Sequence, residues 1–176
     1  MRHLALGLIL ASIALPASSA VKSSDASSFV VTQSYEVKTD ATTAYAALIE
    51  PRRWWSSQHS WSGDAKNLSL DARAGGCWCE RWNGGEAEHA RVIFVVKDKQ
   101  LRTSGGFGPM QAMALNAVLD VDLTTTANGT RIDVAYTVNG TPASNLDKLA
   151  PAVDGVLAEQ FGRLQSLLDM GSATKP

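Results

Sequence analysis

The stretch GGCWCERW, residues 75–82, holds both cysteines of the chain, Cys77 and Cys79, with one residue between them. Such a pair can form a disulfide, bind a metal ion, or pack as two small apolar thiols. Residues i and i+2 of a regular strand lie about 6.6 Å apart on one face, whereas the Cβ atoms of a disulfide lie about 3.8 Å apart. The spacing therefore favours two free thiols that pack against a helix or line a cavity. An exported location would favour the disulfide, and a shared metal ion is the third alternative.

Two histidines and one glutamate are candidates for acid–base chemistry. His59 lies in a tryptophan-rich segment, His89 begins a strand, and Glu80 alternates with the cysteines along theirs. Histidine is the usual proton carrier near neutral pH, and a buried carboxylate needs a partner such as His89 or Arg91. A lone histidine is more often a surface or packing residue than a catalyst, and Glu80 is alternatively a residue on the solvent side of its strand. We treat His59, Glu80 and His89 as candidate catalytic residues whose role the sequence leaves open.

All five tryptophans lie between residues 54 and 82. The segment RRWWSSQHSWSG, residues 52–63, has no sustained helical or strand periodicity, and loops with large aromatic side chains often line binding sites. Core packing is the alternative, above all for Trp54 and Trp78. The pattern predicts that Trp55 and Trp61 contact a ligand.

Several functional classes are disfavoured by what the sequence lacks. The glycine-rich run GGFGPM, residues 105–110, has neither the lysine nor the following helix of a phosphate loop, and it resembles a bent strand end. The formal net charge is −1 and no basic block occurs, which argues against nucleic-acid binding. We expect no cofactor, no metal, and a small molecule as the partner.

The chain begins with a pattern typical of a secretory signal. Arg2 precedes an uncharged apolar run, residues 4–15, that is too short to span a bilayer about 30 Å thick. Small residues at 18–20 predict cleavage near Ala20, a periplasmic or secreted protein, and no stable membrane insertion after cleavage; an uncleaved anchor is the alternative. The expected organisation is a signal peptide at residues 1–20, a flexible leader at 21–28, one domain at 29–171 and a flexible tail at 172–176.

The remaining pattern predicts an α+β domain. A first strand is followed by one or two short helices, then by about six further strands. Asn128-Gly129 predicts a hairpin between the two longest strands. The C-terminal segment carries an apolar stripe at helical spacing, composed of Leu149, Val153, Val156, Leu157, Phe161, Leu164 and Leu168. A long helix packed on one face of a curved antiparallel sheet leaves room for a cavity.

Four segments resemble the SRPBCC, or START-like, superfamily, near its activator-of-Hsp90-ATPase-homologue and polyketide cyclase/dehydrase-like groups. They are ATTAYAALIEPRRWW, LDARAGGCWCERW, HARVIFVVKDKQLRTSGGFGPM and APAVDGVLAEQFGRLQSLL. The resemblance implies a helix-grip fold, in which a curved antiparallel sheet of about six to seven strands wraps a long C-terminal helix around a deep hydrophobic cavity. Members bind lipids, sterols, polyketides or hormones, and some are enzymes. The signal segment and the Cys-Trp-Cys strand depart from the commonest members.

These observations predict an exported protein that binds a small hydrophobic ligand, lipid or polyketide-like, between the sheet and the C-terminal helix. The candidate ligand-binding residues are Trp55, His59, Trp61, Cys77, Cys79, Glu80 and His89. The alternative is an enzyme of cyclase, dehydratase or hydrolase type, which requires two titratable groups to converge in the cavity. A protein-interaction module is a third hypothesis, based on family analogy alone.

Overall fold

The computed structural model describes residues 18–173. In this part of the chain, eight antiparallel strands form one open sheet in the order β1-β2-β8-β7-β6-β5-β4-β3. The strands are β1 (Ser18–Asp25), β2 (Ser28–Val37), β3 (Leu68–Leu70), β4 (Cys77–Trp82), β5 (Gly85–Val96), β6 (Gln100–Ser104), β7 (Asn116–Thr126) and β8 (Gly129–Asn139). The predicted α+β class, with its antiparallel sheet, is confirmed.

Two α-helices accompany the sheet, α1 (Ala41–Leu48) and α2 (Leu146–Ala173). Asp40 caps α1, and its carboxylate accepts a hydrogen bond of 2.8 Å from the backbone N–H of Thr43. Short 3₁₀ helices span Pro51–Arg53, Ser57–His59, Ala65–Asn67, Gly108–Ala112 and Pro142–Ser144. Within residues 18–173, neither helix has the length and apolar character needed to cross a membrane.

The core lies between the concave side of the sheet and α2. Successive residues of β2 and β8 alternate between buried and more exposed positions, as expected for strands with one covered face. The predicted stripe of α2 buries Leu157, Phe161 and Leu164 almost completely. Burial of this stripe against the sheet and against Trp54, whose ring centroid lies 5.5 Å from that of Phe161, stabilises the helix.

The first strand was not expected. Residues 21–28, predicted to be a flexible leader, lie mostly in β1, which pairs with β2 in the register Val21↔Val31 and also contacts α2. The leader prediction was therefore wrong, and the sheet has one strand more than anticipated. Small polar side chains carry no hydrophobic pattern, whereas backbone hydrogen bonds to the open edge of β2 do not depend on side-chain type. Residues 172–173, predicted to begin a flexible tail, are instead the last residues of α2, so that boundary was wrong. Residues 1–17 of the predicted signal peptide and residues 174–176 of the predicted tail lie outside the described residues.

Candidate functional site

A cavity of about 440 Å³ lies between the sheet and the first half of α2. Two segments between strands, residues 55–61 and 107–113, contribute to its lining. The lining comprises Trp55, Gln58, His59, Ser60, Trp61, His89, Phe107, Gly108, Pro109, Met110, Met113, Tyr136, Leu149, Ala152, Val153, Val156 and Leu157. Most of these side chains are apolar, and the volume is typical of sites for small organic ligands.

One wall of the cavity rests on a cluster of aromatic rings. The centroids of Trp55 and Phe107 lie 5.4 and 5.2 Å, respectively, from that of Trp78, and 5.8 Å from each other. Trp54 packs against Trp78 from the other side, at 6.2 Å. We call Trp54, Trp55, Trp78 and Phe107 the aromatic cluster. Nε1 of Trp55 donates a hydrogen bond to the carbonyl oxygen of His59 at 2.9 Å, so the cluster also holds the loop at residues 55–61 in place.

Glu80 and His89 form a buried pair beside this wall. Nε2 of His89 lies 2.9 Å from Oε2 of Glu80, and the two side chains are 4% and 0% exposed. The carboxylate also accepts hydrogen bonds from two backbone N–H groups, those of Trp61 at 2.9 Å and Ser62 at 2.6 Å. Glu80 therefore satisfies three donors at once and ties the loop at residues 55–61 to the sheet. The two titratable groups are therefore in contact, but only His89 lines the cavity, whereas the enzyme hypothesis required both groups inside it.

A β-bulge turns His89 towards the cavity. Trp78 pairs with Ala90 and the next residue, Cys79, pairs with Glu88, so His89 is an extra residue in β5. In regular alternation Glu88 would share the buried face of Ala90. The bulge instead leaves Glu88 exposed and buries both His89 and Ala90.

The bulge requires a glycine on the neighbouring segment. A Cβ atom at Gly105 would lie 2.5 Å from the carbonyl oxygen of His89 and 2.7 Å from Cα of Ala90. Only glycine allows this approach of two backbones. The hydroxyl of Tyr136 donates to the carbonyl oxygen of Gly105 at 3.0 Å and accepts from the N–H of Phe107 at 3.3 Å. Burial raises the pKa of Tyr136 to about 12, so this hydroxyl stays protonated and structural at neutral pH.

The environment of Glu80 has opposing effects on its pKa. Burial raises the pKa, but the hydrogen bonds from Ser62, Trp61 and His89 outweigh it and hold the pKa below its ordinary value of 4.5. Glu80 is therefore ionised in the folded protein at neutral pH. Because the folded-state pKa is lowered, the ionised carboxylate stabilises the fold above its ordinary pKa, and this contribution is lost as the pH falls through the folded-state value.

We therefore expect the free energy of unfolding to fall more steeply below about pH 4.5 in the wild type than in Glu80→Gln. Glutamine has nearly the same shape but no carboxylate to protonate, so this part of the acid dependence disappears. Urea denaturation of both proteins across the acid range measures the two slopes. Parallel slopes would show that Glu80 is not held ionised by the fold.

The predicted ligand contacts are divided between the cavity and its surroundings. Trp55, His59, Trp61 and His89 line the cavity, and Trp61 lies half exposed at its rim. His59 takes no part in the buried pair, because its Nε2 lies 3.1 Å from Oε2 of Glu159 at the protein surface. Glu80 is not part of the lining but lies behind His89.

The cysteines differ from the favoured prediction. Cys77 and Cys79 form a disulfide, so the free-thiol hypothesis was wrong, and neither residue lines the cavity. Their Cα atoms lie 5.3 Å apart, closer than the roughly 6.6 Å of a regular strand and well within disulfide range. The bulge opposite them makes the strand pairing irregular and increases the local twist. Glu88 lies within 4.8 Å of both sulfurs, but sulfurs bonded to each other are not thiolate ligands for a metal.

Comparison with solved structures identifies the architecture. A protein from Mesorhizobium loti superimposes with a TM-score of 0.61 at 17% sequence identity, over 84% of this chain and 99% of that chain. The Aha1 dimer from Colwellia psychrerythraea gives a TM-score of 0.60 at 17% identity, over 81% of this chain and 97% of that one. The chain has the SRPBCC, or START-like, fold. No sequence-family model matches it, and no curated protein sequence does. At these sequence identities, the similarity between this chain and the solved structures establishes the fold but no activity.

Some of the residues that line the cavity were not predicted from the sequence to be site residues. Leu149, Val153 and Val156 belong to the predicted stripe of α2, and their spacing gave no sign that this half of the stripe faces a cavity. Phe107 and Tyr136 lie in segments interpreted as a strand end and an ordinary strand. The one available signal was the glycine-rich run at residues 105–110, because glycines mark close backbone approach.

Proposed function

We propose that the protein binds a small, largely apolar molecule in the cavity between the sheet and α2. The observation that carries this proposal is a cavity of about 440 Å³ whose wall is mainly aliphatic and aromatic. Transfer of apolar ligand surface from water into such a site is favourable by about 25 cal/mol per Å² before ordering costs. Lipids and polyketide-like compounds are the ligand classes that we propose for a site of this size and polarity.

The entry side of the cavity is the rim at Trp61. This side chain is 50% exposed although it lines the cavity, and the loop that bears it is held to the sheet through Glu80. A large aromatic ring that is apolar and half in water suits a position where a ligand passes from solvent into the site. Selectivity is expected from the few polar groups of the lining, chiefly His59 and His89.

Binding can be tested with an uncharged fluorescent probe, N-phenyl-1-naphthylamine. We expect its emission to rise on titration with the protein, and Val153→Trp to weaken its binding at least about tenfold, because the indole fills the cavity. Met170→Trp is the matched control, since it adds the same ring to an exposed position of the same helix. Equal affinities for the two variants would place the binding site elsewhere.

We also propose that the protein is exported. Support comes from the signal-like pattern of residues 1–20 and from the Cys77–Cys79 disulfide, since disulfides persist mainly in oxidising compartments. Cleavage near Ala20 would leave the residues from Val21 onward to pair with β2. N-terminal sequencing of the protein from its own host should begin near Val21, and a start at Met1 would contradict cleavage.

The pairing of Glu80 with His89 favours a second candidate, an enzyme that acts on a molecule in the same cavity. A carboxylate that orients a histidine is a common arrangement for general acid–base chemistry. The two candidates share one site, and they differ in whether the bound molecule leaves it unchanged or converted to a different product.

A further inference from the structure

We propose that Glu80 and His89 form a proton-accepting pair, and that the molecule bound in the cavity presents an acidic hydroxyl, phenolic or enolic, to Nδ1 of His89. This inference rests on the cavity-binding function proposed above and specifies its ligand class.

The tautomer follows from the contacts of Glu80. Both carboxylate oxygens accept a hydrogen bond from a backbone N–H, that of Trp61 or Ser62, and these bonds favour the ionised form of Glu80. An ionised carboxylate is an acceptor only, and therefore Nε2 of His89, at 2.9 Å, must be the donor. A neutral imidazole with its hydrogen on Nε2 has a lone pair on Nδ1.

That lone pair is left for a ligand. Among residues 18–173, no hydrogen bond reaches Nδ1 of His89, although the side chain is only 4% exposed and lines the cavity. Phe107 covers the ring in a stacked contact, with centroids 6.3 Å apart. Nδ1 is not one of the fully buried, unpartnered polar atoms of residues 18–173, so it stays accessible from the cavity that His89 lines, where a hydroxyl-bearing ligand can donate a hydrogen bond to it.

The other titratable groups around the cavity do not compete for this role. The hydroxyl of Tyr136, from β8, is already bonded to Gly105 and Phe107. His59, from the loop at residues 55–61, pairs with Glu159 of α2. The described lining contains no lysine, arginine, aspartate or glutamate, so Glu80 is the charge that acts on His89.

Proton transfer at this position is balanced without any further reactant. The O–H bond of the ligand breaks, its electron pair stays on oxygen, and the proton forms an N–H bond at Nδ1. The resulting imidazolium lies between the Glu80 carboxylate and the new oxyanion, and both stabilise it. The pKa of a phenol is ordinarily about 10, which is close enough to the pKa of an imidazolium for this exchange. An aliphatic alcohol is far less acidic.

The test uses 4-nitrophenol, whose neutral and ionised forms absorb at different wavelengths, and its methyl ether, 4-nitroanisole, which has no proton to give. We expect the pKa of bound 4-nitrophenol to lie below that of the free compound in the wild type. The side chain of His89→Gln can still donate a hydrogen bond to Glu80. In this variant we expect the ratio of bound phenolate to bound phenol, measured at a fixed pH, to fall about tenfold. His59→Gln removes the other cavity histidine and should have a much smaller effect.

The outcomes separate this inference from the cavity proposal. If both compounds bind but the pKa of bound 4-nitrophenol is the same in the wild type and in His89→Gln, the proton-accepting pair is refuted and the cavity function stands. If neither these compounds nor the naphthylamine probe binds, the cavity function fails. Nitrogen-15 NMR of His89 in the unmodified protein needs no variant to fold: a hydrogen on Nε2 supports the inference, and a neutral ring with its hydrogen on Nδ1 overturns it.

Discussion

Leu164→Asp is expected to prevent folding. Leu164 is completely buried in the stripe of α2, and aspartate there would place an unpaired charge in the core. The cost of about 4 kcal/mol or more is comparable to the whole stability of an ordinary domain, about 5–15 kcal/mol. Circular dichroism and thermal unfolding of the purified variant would show loss of the cooperative transition.

Met170→Asp is the matched control for this change. Met170 lies on the same helix but its side chain is 64% exposed, so the same carboxylate stays in water. We expect its thermal midpoint to remain close to that of the wild type. A Leu164→Asp protein that unfolds at the wild-type temperature would show that this face of α2 does not pack on the sheet.

Trp78→Ala is expected to cost about 3–5 kcal/mol of unfolding free energy. Trp78 is 1% exposed and joins the rings of Trp54, Trp55 and Phe107, so its removal leaves a void at the centre of the aromatic cluster. Because the cluster supports the cavity wall, probe binding should also weaken in protein that remains folded. Urea denaturation gives the free energy, and probe titration gives the affinity.

Trp82→Ala controls for the loss of an indole from the same strand. Trp82 ends β4, outside the aromatic cluster, and it is only partly buried. Its replacement should cost about 1 kcal/mol or less. Equal losses at Trp78 and Trp82 would contradict a special role for the aromatic cluster and attribute the effect to strand β4 as a whole.

The disulfide and the bulge occupy the two paired strands that carry the site. The bulge in β5 places His89 in the cavity, and Cys77–Cys79 joins two residues of β4 directly before Glu80. Trp78 lies between the two cysteines and faces the core. This covalent link therefore restricts the segment that positions both Trp78 and Glu80, and it does so from outside the cavity.

The sequence alone was sufficient for the α+β class and for the packing of a long helix on a sheet, because long periodic segments determine which faces are buried. The stripe of α2 predicted a helix packed on a sheet, and Asn128-Gly129 predicted the β7–β8 hairpin. That hairpin is confirmed, with Ala127 and Asn128 as the turn residues between the paired Thr126 and Gly129. Histidine, glutamate and tryptophan chemistry was also enough to single out Glu80, His89 and Trp55 as candidates, since few residue types carry a proton or a large ring.

Only the tertiary structure decided how these residues are used. Strand alternation has a period of two, so one extra residue at His89 reverses which neighbours face the cavity, and no side-chain pattern announces it. Cys77 and Cys79 lie opposite this irregularity, with Cα atoms 5.3 Å apart, closer than the spacing of a regular strand from which the sequence prediction was made. Strand β1 depends on backbone hydrogen bonds to the edge of β2, and backbone groups are the same in every sequence. Local periodicity thus predicted most of the helices and strands. Contacts between segments that are far apart in the sequence decided which side chains meet in the cavity.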